Sequence, residues 1–262
     1  MTNSMRRSNK APYKTALITG ASSGLGRGLA LAFGKNGAHV IAAARRKIEL
    51  DSLVAEIIAS GGSAEVMLLD CSNADATYEA VRTLDQGRPL DLVIANAGAG
   101  FPTSALALDW REVRQILDLN VLGATATLSA ALTGMVERNS GQLVAMASLA
   151  GYRGLPASAA YCASKAALIA FCESLRIDLR DSGVHVTTIC PGFVETDMTA
   201  KIKGKLPFLV KLDDAVAIMY KAIERREAHC AFPRPMAAAA RGGQLMSRSA
   251  YEWMASKGKP PA

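Results

Sequence analysis

Short apolar runs rich in β-branched residues recur along the chain, separated by longer segments of helical period. The runs Thr15–Thr19, His39–Ala44, Ala64–Leu69, Leu90–Asn96, Gln142–Ser148, His185–Cys190 and Ala228–Phe232 predict strands. Between them, apolar residues at helical spacing predict helices over about 25–36, 47–59, 73–86, 110–137, 158–181 and 213–226. Strands that are apolar almost throughout and alternate with helices predict a parallel sheet covered on both faces.

Right-handed crossovers would wind these units into a single Rossmann-like, doubly wound α/β sheet of about seven strands. No Pro/Gly/Ser-rich linker or internal repeat divides the chain, so one domain is expected over 14–262, after a basic tail at 1–13. Two stretches break the alternation. The 20 residues 193–212 carry Lys201, Lys203, Lys205 and Pro207 and read as a substrate loop. The extension 233–262 holds an apolar-flecked segment around Met246, Tyr251, Trp253 and Met254. It reads as a short helix over a substrate pocket, a dimer contact or a plain surface helix.

Composition narrows the class. At 262 residues and 50% hydrophobic, the chain can bury a substantial core, which excludes a disordered, collagen-like or disulfide-stapled chain. No apolar run approaches the roughly 18 residues of a membrane span. Cys71, Cys162, Cys172, Cys190 and Cys230 are odd in number and form no CxxC pair, so buried thiols in a reducing compartment, the cytoplasm, are expected. His39, His185 and His229 are too scattered for a metal site. The basic start lacks an apolar core and does not read as a secretory signal.

Charge is placed unevenly. The first acid is Glu49, and nine of the 30 Lys+Arg precede it, leaving 21 against 23 acids in the remainder. The excess sits in the first 48 residues, so something there is expected to meet negative charge. In that region Leu17-Ile18-Thr19-Gly20-Ala21-Ser22-Ser23-Gly24-Leu25-Gly26 runs from a strand into an apolar-periodic helix. Glycine lets a phosphate approach the backbone, and a helix N-terminus offers unpaired N–H groups to it. The spacing is G-x3-G-x-G rather than G-x-G-x-x-G, yet the strand-turn-helix context favours a dinucleotide. After the second strand the chain reads Ala44-Arg45-Arg46-Lys47, with no acid between Gly20 and Ile48. An acid there would accept the ribose hydroxyls of NAD(H), whereas Arg45 and Arg46 suit a 2′-phosphate, so NADP(H) is preferred over NAD(H).

Tyr161-Cys162-Ala163-Ser164-Lys165 opens a long helix and sets a phenol and an ammonium on one face. Bringing a phenol of ordinary pKa near neutrality asks for roughly 4 kcal/mol of cationic stabilisation. Ser148, thirteen residues upstream, ends the fifth strand at the edge where such sheets bind ligands. Tyr-x-x-x-Lys alone is a weak signal. With the glycine turn, the serine and this order it is strong.

On these motifs the chain closely resembles the short-chain dehydrogenase/reductase family, in the group with TGxxxGxG and YxxxK, from about Lys14 to Phe232. The resemblance implies Tyr161 as acid or base, Ser148 as the group that orients a substrate carbonyl, and Lys165 as a ribose ligand that lowers the Tyr161 pKa. It implies Asn120 as a holder of proton-relay water. It assigns the cofactor to Gly20, Ser22, Ser23, Gly24, Leu25 and Gly26, with Asp70 and Cys71 near the adenine. Asn96-Ala97-Gly98 matches the family's NNAG element, with Ala95 in place of the first Asn, and Pro191, Gly192, Val194 and Thr196 match the nicotinamide segment.

Phe101, Leu155, Met198 and Phe208 are candidates for an apolar substrate pocket or for core. Trp110 is expected to anchor a helix start. The Ala-rich helices over 110–137 and 158–181 would form a homodimer or homotetramer, as in the family. The leading expectation is an oxidoreductase for a small-molecule ketone or secondary alcohol, a 3-oxoacyl or other apolar carbonyl compound included. Lys201, Lys203 and Lys205 would also suit an acidic carrier. The alternative is an inactive NADP(H)-sensing or scaffold protein of the same fold. Nucleic-acid binding is disfavoured because the basic residues come without stacking aromatics. Membrane attachment through one small cluster at Arg6, Arg7 and Lys10 would be marginal.

Overall fold

The structure, a computed structural model, describes residues 13–257 except Lys201, Lys203 and Lys205. Arg6, Arg7, Lys10, most of the expected tail and those three lysines thus lie outside the described residues. Tyr13 belongs to the core instead: it is buried, and its hydroxyl donates to the Ile223 carbonyl at 2.9 Å.

Among the described residues, seven parallel strands form one sheet in the order β3-β2-β1-β4-β5-β6-β7. They are β1 (Thr15–Thr19), β2 (His39–Ala44), β3 (Ser63–Leu68), β4 (Leu92–Ala95), β5 (Gly141–Met146), β6 (Val184–Pro191) and β7 (His229–Phe232). Successive side chains on a strand point to opposite faces, and here each face has its own core. Ala16 and Ile18 of β1 join one core while Leu17 joins the other. Val40, Ala42 and Ala44 of β2 part from Ile41 and Ala43 in the same way. The first core is roofed by α1 (Gly24–Lys35), α2 (Lys47–Ala59) and α8 (Leu212–Glu224). The second is roofed by α3 (Ala74–Gly87), α5 (Ala124–Glu137) and α6 (Ala159–Asp178), with α4 (Trp110–Leu117) preceding α5 in the chain.

Three strands stop earlier than their apolar runs, β3 by one residue at Leu68. The N–H groups of Asn96 and Ala97 turn to the Thr19 hydroxyl, both at 3.1 Å, so β4 ends at Ala95. Ser148 leaves the ladder to accept the Ala150 N–H, so β5 ends at Met146. The expected helix over 110–137 is helical throughout but passes through a π-helical turn, Asp118–Gly123, between α4 and α5. By length and hydropathy this run would suit a membrane span, but Asn120, Thr127 and Leu128 are buried in the protein, as in a core helix. The stretch 193–212 contains a short helix, α7 (Asp197–Ala200), and the extension folds as α9 (Arg234–Leu245) and α10 (Arg248–Ser256).

Strand order reverses between β1 and β4, the place where open α/β sheets leave a crevice at their carboxyl ends. The glycine turn follows β1, and Asn96-Ala97-Gly98 follows β4.

Candidate active site

The glycine turn is closed by its neighbours. Asn96 donates from Nδ2 to the carbonyls of Thr19 and Gly20, at 3.0 and 3.2 Å. Gly20 has φ +66°, and a Cβ there would stand 2.8 Å from the Ala97 Cα. At Gly26 a Cβ would fall 2.4 Å from both Asn96 Nδ2 and the Gly20 carbonyl. These positions accept no side chain, so α1 starts close against the turn, with the N–H groups of its first turn without intrahelical partners. That is the form of a pyrophosphate cradle, and the residues present fit a dinucleotide. Thr19 was not among the expected site residues, although its single hydroxyl ties β1 to the β4 turn. Sequence shows only a threonine before a glycine.

Two guanidiniums stand beside this cradle. Arg46 donates to Ser22 Oγ at 2.8 Å and Ser23 Oγ at 2.6 Å, which draws three expected residues together. Arg45 lies 3.9 Å from Asp70, with 67% of its side chain exposed. Burial would raise the Asp70 pKa, but the Ser72 N–H and hydroxyl, with Arg45, hold the carboxyl below its ordinary value. Cys71 beside it is buried. Arg27, also in the basic first 48 residues, is used internally: it meets Glu56 at 2.7 Å and the Glu49 carbonyl at 3.1 Å.

Ser148, Tyr161 and Lys165 converge at the carboxyl end of β5. Ser148 is buried and donates to the Pro191 carbonyl at 3.3 Å. Lys165 is buried, donates to the Met146 carbonyl at 2.7 Å, and sits 5.7 Å from the Tyr161 ring centroid. Burial pushes the Tyr161 phenol above its ordinary value, while the Ser148 hydroxyl beside it pulls it down. Burial also depresses the Lys165 ammonium to about 8. In the protein alone burial holds the phenol up; the expected lowering rests on Lys165 together with a cationic nicotinamide. Desolvation outweighs the Ser148 hydroxyl, and positive charge at the site would be needed to reverse it.

Asn120 is fully buried in the π-helical turn. Its Oδ1 accepts the Ala99 N–H at 2.8 Å, and its Nδ2 donates to the Ala99 carbonyl at 2.8 Å and Ser164 Oγ at 3.1 Å. These bonds clamp the segment after β4 onto α6. Both Nδ2 hydrogens are thereby used, while Oδ1 keeps a second lone pair to which a water could donate.

Over the other side of the crevice, Pro191–Thr196 returns toward the cradle, and a Cβ on Gly24 would touch the Thr196 methyl at 3.4 Å. Gly192 donates its N–H to the Phe232 carbonyl at 2.7 Å. Val194 pairs with Val210 in an isolated bridge that closes the expected substrate loop. Met198 and Phe208 in that loop are 40% and 59% exposed, and Leu155 is 45% exposed, so none of the three is core. Trp110 starts α4 but is 67% exposed and anchors little. All five cysteines are free and buried, and burial pushes Cys71, Cys190 and Cys230 up to about 11, 12 and 11. Such thiols pack; they do not attack.

The family model of the short chain dehydrogenases matches residues 14–206. This chain is 51% identical to an uncharacterized oxidoreductase of Myxococcus xanthus, over 92% of this chain and 95% of that one. It is 34% identical to a 3-oxoacyl-[acyl-carrier-protein] reductase of Synechocystis, over 73% of this chain and 78% of that one. A short-chain dehydrogenase from Sphingobium yanoikuyae in complex with NADPH superposes with a TM-score of 0.79 at 25% identity, covering 95% of this chain and 97% of the other. The chain belongs to the short-chain dehydrogenase family. It is an oxidoreductase of the CH–OH/carbonyl class.

Proposed function

We propose that this protein interconverts a ketone and a secondary alcohol with NADP(H), Tyr161 acting as acid in reduction and base in oxidation. The observation that carries the reading is the meeting of Ser148, Tyr161 and buried Lys165 at the strand edge that also holds the glycine cradle. In this reading Ser148 orients the carbonyl and Tyr161 passes a proton to its oxygen. Lys165 and Tyr161 hold the nicotinamide ribose, and Asn120 keeps the segment after β4 in place. Gly20, Ser22, Ser23, Gly24, Leu25 and Gly26 would hold the pyrophosphate, and Asp70 and Cys71 the adenine end. Asn96, Ala97 and Gly98 would back the cofactor from β4, with Pro191, Gly192, Val194 and Thr196 at the nicotinamide. When bound, the nicotinamide supplies or takes the hydride.

NADP(H) over NAD(H) is supported by Arg46 on Ser22 and Ser23, by exposed Arg45, and by Ala44 where an acid would serve NAD(H). The NADPH-bound structural relative points the same way. A 3-oxoacyl or other apolar carbonyl substrate is supported by the name of the Synechocystis relative and by the apolar loop residues. A homo-oligomer in the cytoplasm completes the reading. The test is a panel of carbonyl compounds followed by loss of NADPH absorbance, with NADH in parallel. Turnover with a higher kcat/KM for NADPH is expected. A preference for NADH would refute the cofactor assignment, and no turnover across the panel would favour the scaffold alternative.

A further inference from the structure

A cleft of about 350 Å³, lined by Arg153, Gly154, Arg248, Tyr251 and Glu252, is used by none of the groups above. Its size lies within the range of small-molecule sites. Its walls are the segment 152–155, which lies between Ser148 and Tyr161, and the C-terminal helix α10. The two are tied together. Buried Tyr251 donates its hydroxyl to the Gly154 carbonyl at 2.8 Å, and Gln244 of α9 reaches the Tyr152 carbonyl at 3.4 Å. The first turn of α6 is near: the Leu155 backbone bonds to Cys162, next to Tyr161, and Cys162 in turn raises the Tyr251 phenol.

Among the described residues the charged groups of this cleft have no hydrogen-bonding or ion-pair partner in the protein, and Arg248 and Glu252 are exposed to solvent. The Arg153 guanidinium stacks 4.2 Å from the Tyr251 ring centroid, an arrangement that fixes its plane and leaves its edge donors free. Arg248 opens α10, where a cation opposes the helix dipole and an anion would be welcome. Among the described residues neither arginine is ion-paired, whereas Arg27, Arg82, Arg88 and Arg138 each meet a carboxylate. Glu252 lines the same cleft without pairing to either, so the lining keeps a net positive charge.

We propose that Arg153 and Arg248 hold an anionic group, carboxylate or phosphate, at the far end of a substrate whose carbonyl lies at Ser148 and Tyr161. This deepens the carbonyl reading and rests on Tyr161 being the reaction centre. It explains why the chain folds its C-terminal helices onto the segment between the catalytic serine and tyrosine. It also makes Glu252 a residue that weakens the anion site.

The test has two arms on the NADP-bound protein. In the first, hexanoate and butyl phosphate are titrated calorimetrically into wild type, Arg248→Ala, Arg153→Ala, Arg153→Lys and Glu252→Gln. Each alanine variant should bind the favoured probe about tenfold more weakly, the loss of one charge-assisted hydrogen bond. Arg153→Lys, which keeps the charge and guards against misfolding, should recover part of the loss, and Glu252→Gln should bind more tightly. Stronger binding of butyl phosphate points to a phosphate-bearing substrate, and of hexanoate to an oxo acid. In the second arm, oxo-fatty acids are compared with their methyl esters in steady-state reduction. For Arg248→Ala, kcat/KM should fall about tenfold for the acids and stay unchanged for the esters. Equal losses for acid and ester, or none for either, would overturn the proposal. If arginine-dependent anion binding persists while no ketone is turned over, the anion site stands and the Tyr161 reading falls.

Discussion

The two sides of the crevice are built in opposite ways. On the cofactor side, backbone meets backbone: a Cβ at Gly26 would collide with the Gly20 carbonyl and with Asn96, itself bonded to two carbonyls of the turn. On the substrate side, Phe208, Leu209 and Met198 are 59%, 42% and 40% exposed, and one isolated bridge, Val194 to Val210, closes the loop. A rigid cradle suits a ligand that does not vary. An exposed loop and a helical extension can change side chains without disturbing the sheet. Ser148, Tyr161 and Lys165 stand where the two sides meet, and there buried titratable groups make the site costly to the fold.

The largest effect should come from that junction. Tyr161→Phe removes the proposed proton donor and should lower turnover about 10³-fold while leaving NADP(H) affinity nearly unchanged. Steady-state rates and fluorescence titration of the cofactor check both halves, and a fully active variant would refute the assignment.

Next comes Lys165. Its ammonium is depressed to about 8 by burial, against 10.5 for the ordinary group. The unfolded chain therefore binds a proton that the folded one releases between those values, and stability rises with pH across that window. At neutral pH the burden is roughly 3 kcal/mol, so Lys165→Met should be inactive yet melt at a higher temperature without cofactor. That advantage should shrink as pH rises from 8 toward 10.5. A Tm gap independent of pH would show that the lysine carries no such burden.

Gly26→Ala tests the rigidity of the cradle. Forcing a Cβ 2.4 Å from two polar atoms should destabilise the protein by about 1–3 kcal/mol and weaken cofactor binding at the same time. Urea unfolding gives the first quantity and cofactor titration the second. Unchanged stability would mean the turn is looser than its geometry. The smallest effect is expected at Phe208→Ser, on the permissive side, with stability within about 0.5 kcal/mol of wild type. A large loss there would erase the contrast between the two sides.

Much of the fold was legible in the sequence because the central strands β1, β2 and β4 are apolar on both faces, as a covered parallel sheet requires. Strand ends were less legible. Ala95 and Met146 end β4 and β5 because Asn96, Ala97 and Ser148 find partners in Thr19 and Ala150, far from any periodic signal. The segment around Tyr251 and Trp253 was legible as a short helix and folds as α10, whereas α9 was hidden in an alanine- and glycine-rich run, and the tie to Gly154 depends on a tyrosine 97 residues away. Arg46 was legible as a charge, but its hold on Ser22 and Ser23 was not.

By itself, the sequence determined the sheet, its winding, the glycine turn and the Tyr-x-x-x-Lys helix, because hydrophobic period and short-range spacing are local properties of the chain. Tertiary structure alone decided which charges are left free. Arg27, from the same basic stretch as Arg46, is taken up by Glu56, while Arg153 and Arg248, unremarkable in sequence, share a cleft beside the segment between Ser148 and Tyr161. It also decided that burial, not the neighbouring ammonium, dominates the phenol of Tyr161, since desolvation depends on everything packed around a group.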